Sequence, residues 1–401
     1  MHIALIWQRF LPYHQARAQY LQAHLESRGD RLTAIEVASQ DHSYQFDKKT
    51  EAYPDFQTIT CLPTTSYHQH SVQEIHSTVL TTLQATQPDV IIAPSTATPE
   101  GMAAIHYRMQ TKNVRVILMD TSYDKTNIRG WLTTQIKRVI HKNVDGALIP
   151  SATHHPYYVH LGIPAERLFF GLNVVDNDYY AKRAQQARSH SEETLATRNL
   201  PRHFFLYVGR FLPMKGLESL MAAFARYQSK TSDPWQLVMV GGGPHEAVIK
   251  KKAEGIRGIH FPGRVMAPDL CDYLGLAQAV IVPSFSETWG LIINEAMASS
   301  LPVLASTACG AVPSLLKEGE NGWTFTAGDE ASLTDLMVTL SQLPADQRAQ
   351  MGQKAQETIA EWSLDRFLEG AMAVIHLTRR PDPNGLLRQL ALLWKGRVRT
   401  T

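Results

Sequence analysis

Short apolar runs rich in valine and isoleucine recur along the chain, separated by longer amphipathic stretches. Runs of this length without polar alternation are typical of strands that are buried on both faces of a sheet. They occupy residues 3–7, 90–93, 114–119, 146–149, 204–208, 237–240, 280–282 and 303–305. The amphipathic stretches include residues 15–28, 72–86, 128–142 and 217–228. This alternation predicts an α/β chain with βαβ units and parallel sheets.

The length and one polar interruption predict two principal domains. The 401 residues correspond to between two and three domains of about 150 residues, and 44% hydrophobic residues suffice for ordinary cores. Residues 177–202 are polar and contain no buried-strand pattern, so we place a boundary near residue 195. We therefore expect domains at 1–195 and 196–362, followed by a helical segment at 363–401 that bridges back.

Charge and cysteine content argue against several classes of protein. The 39 Lys and Arg residues balance 37 Asp and Glu residues, which leaves no overall basic footprint for nucleic acid. The three cysteines form no CxxC pair, and the histidine pairs at 68/70 and 154/155 have no third ligand at metal-binding spacing. We therefore predict no bound metal. Because we find no signal sequence and no apolar run of about 18 residues, we expect a cytoplasmic location.

Cationic and glycine-rich turns follow two predicted strands of the C-terminal half. In parallel sheets, ligands bind beyond the carboxyl ends of the strands. Residues 209–216 read Gly-Arg-Phe-Leu-Pro-Met-Lys-Gly, so Arg210 and Lys215 stand where a diphosphate would bind. Residues 241–244, Gly-Gly-Gly-Pro, allow a ligand to approach the backbone closely.

Residues 283–300 are the most informative stretch. A turn that contains Glu287 leads into a helix at 291–300, which is apolar or small on nearly all sides but carries Glu295. A buried carboxylate is costly unless it is paired, so we expect hydroxyl or amide donors around Glu295. The N–H groups of residues 290–292 open the helix and would attract an anion. A diphosphate bound beside sugar hydroxyls describes a nucleotide sugar.

These residues resemble the family 4 retaining glycosyltransferases, which belong to the glycosyl transferases group 1. Seven residues separate Glu287 from Glu295, as in the EX7E signature, and Gly-Arg-(x)4-Lys-Gly at 209–216 fits the same family. The resemblance covers about residues 204–325. It implies a GT-B fold, in which two Rossmann-like parallel-sheet domains face a cleft. It also implies a nucleotide-sugar co-substrate, with neither a metal nor a cofactor.

The resemblance assigns roles to residues of the C-terminal domain. Arg210 and Lys215 would hold the donor diphosphate and act in catalysis. Glu287 would bind the transferred sugar and is the third catalytic candidate, whereas Glu295 would bind the ribose hydroxyls. Further donor contacts would come from Gly209, Gly241, Gly242, Arg264, Val265, Thr288, Trp289, Gly290, Leu291 and Ile292.

The N-terminal half departs from the family pattern. No glycine pair follows the first predicted strand, so side chains of residues 9–17 would face the acceptor. The place where relatives often have a histidine reads Met-Asp-Thr-Ser-Tyr-Asp at 119–124. The acceptor-side candidates are therefore Arg9, His14, Arg17, Asp120, Ser122 and Asp124.

We expect the chain to transfer a sugar from a nucleotide-diphosphate sugar to a saccharide or lipid-linked acceptor. A cell-envelope glycan, glycolipid or other polysaccharide pathway fits this reaction. Two alternatives use the same fold, namely a sugar-nucleotide isomerase or epimerase and a noncatalytic sugar-nucleotide-binding protein. A dinucleotide oxidoreductase is disfavoured because no GxGxxG opens a helix after a predicted strand.

The final residues, 384–401, form a basic amphipathic tail. Beyond residue 378, six cations and one acid are interleaved with leucines and a tryptophan. This pattern is typical of a helix that lies on a membrane surface, and equally of a helix that packs back on the N-terminal domain. The first alternative predicts peripheral contact with the inner face of the membrane.

Overall fold

The computed structural model describes residues 1–40, 56–122, 130–383 and 385–398. Every apolar run predicted as a strand coincides with an observed strand, except that the run 114–119 begins one residue before β5. The strands are β1 (His2–Trp7), β2 (Arg31–Gln40), β3 (Ile59–Ser66), β4 (Val90–Ala93), β5 (Arg115–Met119), β6 (Gly146–Ile149), β7 (Leu168–Phe170), β8 (Phe204–Arg210), β9 (Gln236–Gly242), β10 (Ile259–Gly263), β11 (Ala279–Val282), β12 (Val303–Ser306) and β13 (Gly322–Phe325).

The helices alternate with these strands, as the sequence predicts for βαβ units. They are α1 (Pro12–Ser27), α2 (Val72–Thr86), α3 (Pro99–Gln110), α4 (Trp131–His141), α5 (His155–His160), α6 (Asn177–Ser189), α7 (Ser191–Arg198), α8 (Leu217–Lys230), α9 (Glu246–Ala253), α10 (Leu270–Leu276), α11 (Leu291–Ala298), α12 (Val312–Leu315), α13 (Glu330–Gln342), α14 (Ala345–Ala360), α15 (Leu364–Ile375) and α16 (Gly385–Leu393).

The chain folds into two compact units. The first unit comprises Met1–Val174 and Leu364–Thr401, and the second comprises Val175–Ser363. The first division comes earlier than the predicted boundary near residue 195, because α6 packs closely on α10. A Cβ atom added to Gly275 would lie 2.7 Å from the Ala184 carbonyl oxygen, so the two helix backbones nearly touch. The polar residues after 176 thus form helices of the second unit.

The first unit is built on a parallel sheet with the strand order β3-β2-β1-β4-β5-β6-β7. The order reverses between β1 and β4, which creates a point at which ligands bind in open sheets of this kind. Helix α15 completes the core, since Phe367 is fully buried. A Cβ atom on Gly146 would lie 2.5 Å from Cδ1 of Leu377, so this C-terminal segment packs directly on β6.

The C-terminal tail also packs on the first unit. Ala391 of α16 is fully buried, and its carbonyl oxygen lies 3.0 Å from Nε2 of His106. That nitrogen therefore carries the proton, and Nδ1 of His106 accepts a second hydrogen bond from Nε2 of His76 at 2.7 Å. Leu393, by contrast, is 80% exposed. Of the two alternatives for the tail, the structure shows the helix that packs on the N-terminal domain, whereas contact with a membrane stays a prediction.

The second unit contains another parallel sheet, with the order β10-β9-β8-β11-β12-β13. Its order reverses between β8 and β11, the two strands that lead into the motifs at 209–216 and 283–300. The structure therefore confirms two Rossmann-like parallel-sheet domains. Among the residues that the structure describes, no helix has the length and apolar character needed to cross a bilayer.

Candidate functional site

The loops after β8 and β11 contact each other at the carboxyl edge of the second sheet. The Phe285 N–H donates a hydrogen bond to the Met214 carbonyl oxygen at 2.8 Å. A Cβ atom on Gly216 would lie 2.1 Å from the carbonyl oxygen of Pro283. Gly216 also has a φ of 67°, a conformation that favours glycine. The glycine that ends the first motif thus lets the two loops meet.

Lys215 and Glu287 form an ion pair at this junction, and their side chains are 17% and 19% exposed. The backbone of Glu287 is held by the Gly310 N–H, which donates to the Glu287 carbonyl oxygen at 3.0 Å. Arg210 ends β8, where its carbonyl oxygen accepts a hydrogen bond from the Tyr207 hydroxyl at 3.0 Å. The fold therefore brings a cation and a carboxylate together from two motifs that are far apart in the sequence.

The start of α11 lies beside this ion pair. Gly290 caps the helix with a φ of 99°, and the N–H groups of Gly290, Leu291 and Ile292 precede the helical hydrogen-bond ladder. Trp289 is buried, and its Nε1–H donates to Oδ1 of Asn294 at 2.8 Å. This bond ties the turn before α11 to the first turn of the helix.

Glu295 lies on α11 and accepts a hydrogen bond from the hydroxyl of Tyr180 at 3.1 Å. The protein itself thus supplies one hydroxyl donor to this carboxyl, whereas binding of ligand hydroxyls stays a prediction. Burial raises the pKa of Glu295 to about 7, and the Tyr180 bond opposes part of that rise. Nothing in the local sequence indicates this partner, because 115 positions separate the two residues.

Glycines line the neighbouring ends of β8 and β9. Gly209 pairs with Gly241, and a Cβ atom on Gly241 would lie 1.9 Å from the Gly209 carbonyl oxygen. Arg264 and Glu246 border the next glycine: a Cβ atom on Gly242 would lie 3.1 Å from Arg264 Nε and 2.9 Å from Glu246 Oε2. The sequence did not indicate Glu246 as a site residue, because only in the folded chain does the start of α9 bring its carboxylate close to Gly242.

The two remaining donor-side candidates lie in the same loops. Val265 follows β10 and is partly exposed, and Thr288 lies between Glu287 and Trp289 in the turn before α11. The predicted residues of the second unit thus all lie in the last residues of β8 and β9, in the loops after β8, β10 and β11, or in the first two turns of α11.

In the first unit, the candidates after β1 are largely buried. The ring of His14 stacks on Trp7 with a centroid distance of 4.3 Å. Burial, together with the nearby charge of Arg17, holds the pKa of His14 well below its usual value, so the ring is neutral at pH 7. Arg17 is 4% exposed and donates to the Leu172 carbonyl oxygen at 2.7 Å. Arg9 is also buried, so none of the three forms a prominent surface cation.

Asp120 and Ser122 follow β5 and interact with each other. Oδ1 of Asp120 accepts hydrogen bonds from the N–H of Ser122 at 3.3 Å and from its hydroxyl at 3.0 Å. The Tyr158 hydroxyl donates to the Asp120 carbonyl oxygen at 2.7 Å and fixes the backbone there. Asp124 lies outside the described residues. Across the described ranges, no three His, Cys, Asp or Glu side chains are grouped closely enough to hold a metal ion.

The sequence of the second unit matches a known family. Residues 194–358 fit the family model described as glycosyl transferases group 1. The matched range contains every donor-side candidate, from Gly209 to Glu295.

Curated proteins that are similar in sequence to part of this chain carry names that describe sugar transfer. The chain is 27% identical over 209 residues to the sulfoquinovosyl transferase SQD2 of Arabidopsis thaliana, covering 51% of this chain and 39% of that protein. It is 31% identical over 186 residues to the D-rhamnosyltransferase WbpZ of Pseudomonas aeruginosa, covering 45% of this chain and 46% of that protein. The chain thus spans less than half the length of these two curated relatives.

The similarity in structure extends over nearly the whole chain. The structure of Anabaena Alr3699/HepE in complex with UDP and glucose matches with a TM-score of 0.68 at 17% identity. The match covers 94% of this chain and 99% of that one. Both units therefore share their fold with the GT-B glycosyltransferases, as the sequence predicts.

Proposed function

We propose that the chain is a family 4 retaining glycosyltransferase that moves a sugar from a nucleotide-diphosphate sugar to a hydroxyl group. The observation that carries this proposal is the convergence of Lys215, Glu287, Glu295 and the first turn of α11 beyond β8 and β11. A cation and free amides suit a diphosphate, whereas carboxylates suit the hydroxyls of sugars. The sugar-transfer names of the relatives and the UDP bound by HepE support the same ligand class.

The proposed chemistry requires stabilisation of the departing diphosphate. Arg210, Lys215 and the amides at the start of α11 would bind this charge most strongly in the transition state. On the retaining route, the bond from the sugar to the phosphate oxygen breaks, and the acceptor oxygen bonds to the same face of the sugar. The acceptor proton passes to the leaving diphosphate, and in this proposal Arg210, Lys215 and the helix amides take the place of a metal ion. Lys215 would exchange its contact with Glu287 for the phosphate, which frees the carboxylate for the transferred sugar.

The acceptor belongs to a cell-envelope glycan, glycolipid or polysaccharide pathway on the cytoplasmic side of the membrane. Arg9, His14, Arg17, Asp120 and Ser122 are the acceptor-side candidates of the first unit. The tail would add contact with the membrane surface, because Leu393 is exposed on α16 and Lys395 follows that helix. Flotation with anionic vesicles tests the tail. Equal flotation of the intact chain and a variant lacking residues 384–401 would refute membrane contact.

A thermal-shift panel of UDP, GDP, ADP and their sugars tests donor binding, and transfer to added acceptors tests the reaction. We expect one nucleotide series to stabilise the protein and the product to keep the anomeric configuration of the donor, with no effect of a metal chelator. Epimer formation without an acceptor would identify an isomerase. Donor binding without hydrolysis or transfer would identify a noncatalytic binding protein, and an inverted product would refute the retaining route.

A further inference from the structure

Tyr180 is held rigidly beside Glu295. Its side chain is 8% exposed, and its hydroxyl donates to Oε1 of Glu295 at 3.1 Å. The first turn of α6 is fixed by Asp176, whose side chain accepts a hydrogen bond from the Tyr179 N–H at 3.0 Å. Asn177 anchors the same turn by donating to a backbone carbonyl of α14 at 2.9 Å. The position of the hydroxyl is therefore set by the packing of α6.

Within the described part of the chain, the Tyr180 hydroxyl and the Cys271 thiol are titratable groups that interact with the charge of Glu295, and both are uncharged at neutral pH. From α6, burial raises the pKa of the Tyr180 phenol well above its ordinary value. From α10, burial raises the pKa of the Cys271 thiol to about 12, and the charge of Glu295 adds to that rise. Arg188 of α6 donates to the Ser299 carbonyl instead. In the described part of α14, no side chain forms an ion pair or hydrogen bond with Glu295. Tyr180 is thus the polar group that orients this carboxylate.

We propose that Tyr180 is a positioning residue that presents Glu295 to the ribose of the donor nucleotide. Each carboxylate oxygen has two lone pairs, so Oε1 can accept from Tyr180 and from one ribose hydroxyl while Oε2 accepts from the other. The inference rests on the proposed role of Glu295 in donor binding. It makes α6, which begins just after the division at Val174, a part of the donor site.

The test compares Tyr180→Phe with Tyr179→Phe, which removes the same atom from the neighbouring residue. Calorimetry with UDP, GDP and ADP identifies the nucleotide that the wild type binds. For that nucleotide, we expect Tyr180→Phe to raise Kd roughly three- to tenfold at pH 7, because it removes one hydrogen bond to a charged group. Tyr179→Phe should leave Kd within about twofold of the wild type, a change below that of one such bond.

The pH profile separates positioning from general destabilisation. Loss of the donor hydroxyl raises the pKa of Glu295 further, so the Kd ratio of Tyr180→Phe to wild type should be larger at pH 6.5 than at pH 8.5. In a Glu295→Ala background, Tyr180→Phe should have no additional effect on Kd. Hydrogen exchange should show that the nucleotide protects the amides of residues 177–183 in the wild type but not in Tyr180→Phe.

Two outcomes would overturn the inference in distinguishable ways. If the wild type binds a nucleoside diphosphate and Tyr180→Phe binds it equally well from pH 6.5 to 8.5, Tyr180 does not position Glu295, and the proposed function is untouched. If the wild type binds none of UDP, GDP and ADP, both the proposed function and the inference fail.

Discussion

Replacing Glu295 with glutamine is expected to stabilise the folded protein at alkaline pH, because the surroundings of this carboxyl disfavour its charge. Burial raises its pKa from 4.5 to about 7. That difference, at about 1.36 kcal/mol for each pH unit, corresponds to about 3 kcal/mol. A carboxyl with a raised pKa contributes stability that is fully present below pH 4.5 and lost as the pH rises through 7. The wild type should therefore lose this amount between acid and alkaline solution, and Glu295→Gln should not.

Urea denaturation at pH 5 and pH 8, followed by tryptophan fluorescence and circular dichroism, measures this difference. The gain in unfolding free energy of Glu295→Gln over the wild type should approach about 3 kcal/mol at pH 8 and fall to about 0.8 kcal/mol at pH 5. Glutamine keeps an oxygen that can accept the Tyr180 hydrogen bond, so the comparison isolates the charge. The same variant should bind the donor nucleotide more weakly, because functional groups are often kept in surroundings that lower the stability of the folded protein.

Glu357→Gln provides a control of opposite sign. The neighbouring Lys354 lowers the pKa of Glu357, so this carboxyl contributes stability above pH 4.5 that is lost as the pH falls. Its replacement should therefore give no gain at pH 8. An equal effect of Glu295→Gln at pH 5 and pH 8, or a loss of stability at pH 8, would refute the assignment of a costly buried charge.

Further predictions concern the contact between the loops after β8 and β11, the role of Arg210 in stabilising the leaving diphosphate, and the buried hydrogen-bonded pair His76 and His106. Gly216→Ala should cost more than about 2 kcal/mol in urea denaturation, because its Cβ would lie 2.1 Å from the Pro283 carbonyl oxygen at positive φ. Gly29→Ala has positive φ but open space, so it should cost only about 1 kcal/mol, and equal costs would contradict the loop contact. Arg210→Ala should lower turnover roughly 10²- to 10³-fold while weakening nucleotide binding far less, and equal transfer rates would refute its role. Burial lowers the pKa of His76 to about 4, so the wild type should lose about 2 kcal/mol between pH 7 and pH 5, whereas His76→Gln should not.

The central strands of both sheets were predictable because each is buried on both faces. The missed strands β3, β7, β10 and β13 are the edges of the two sheets. Edge strands have one unpaired side and tolerate polar residues, so β3 mixes exposed and buried positions and gives no continuous apolar run. Strand β2 was missed because it carries the buried Glu36, which accepts a hydrogen bond from the Thr60 hydroxyl at 3.0 Å. Only the folded sheet supplies that partner.

The candidate site was predictable as far as its residue types and loops, because strand ends in a parallel sheet converge. The hydrogen-bonded and ionic pairs between its residues were not predictable. Lys215 meets Glu287 across 72 positions, and Tyr180 meets Glu295 across 115. Hydrogen-bond partners at such separations depend on the packing of α6 and on the junction of two loops. The division at Val174 precedes the predicted boundary near residue 195 for the same reason, since the residues after 176 are polar in sequence but helical and packed in the structure.

The final helices of the first unit follow the second unit in the sequence, so they are synthesised after it. Residues Val175–Ser363 form a contiguous unit, whereas Met1–Val174 lack α15 until the ribosome has passed residue 375. Domains generally fold as units while the chain emerges. The segment made first is therefore expected to complete its core last, leaving the face of β6 that receives Leu377 open during translation. The nascent chain would then depend most on chaperones for its oldest part.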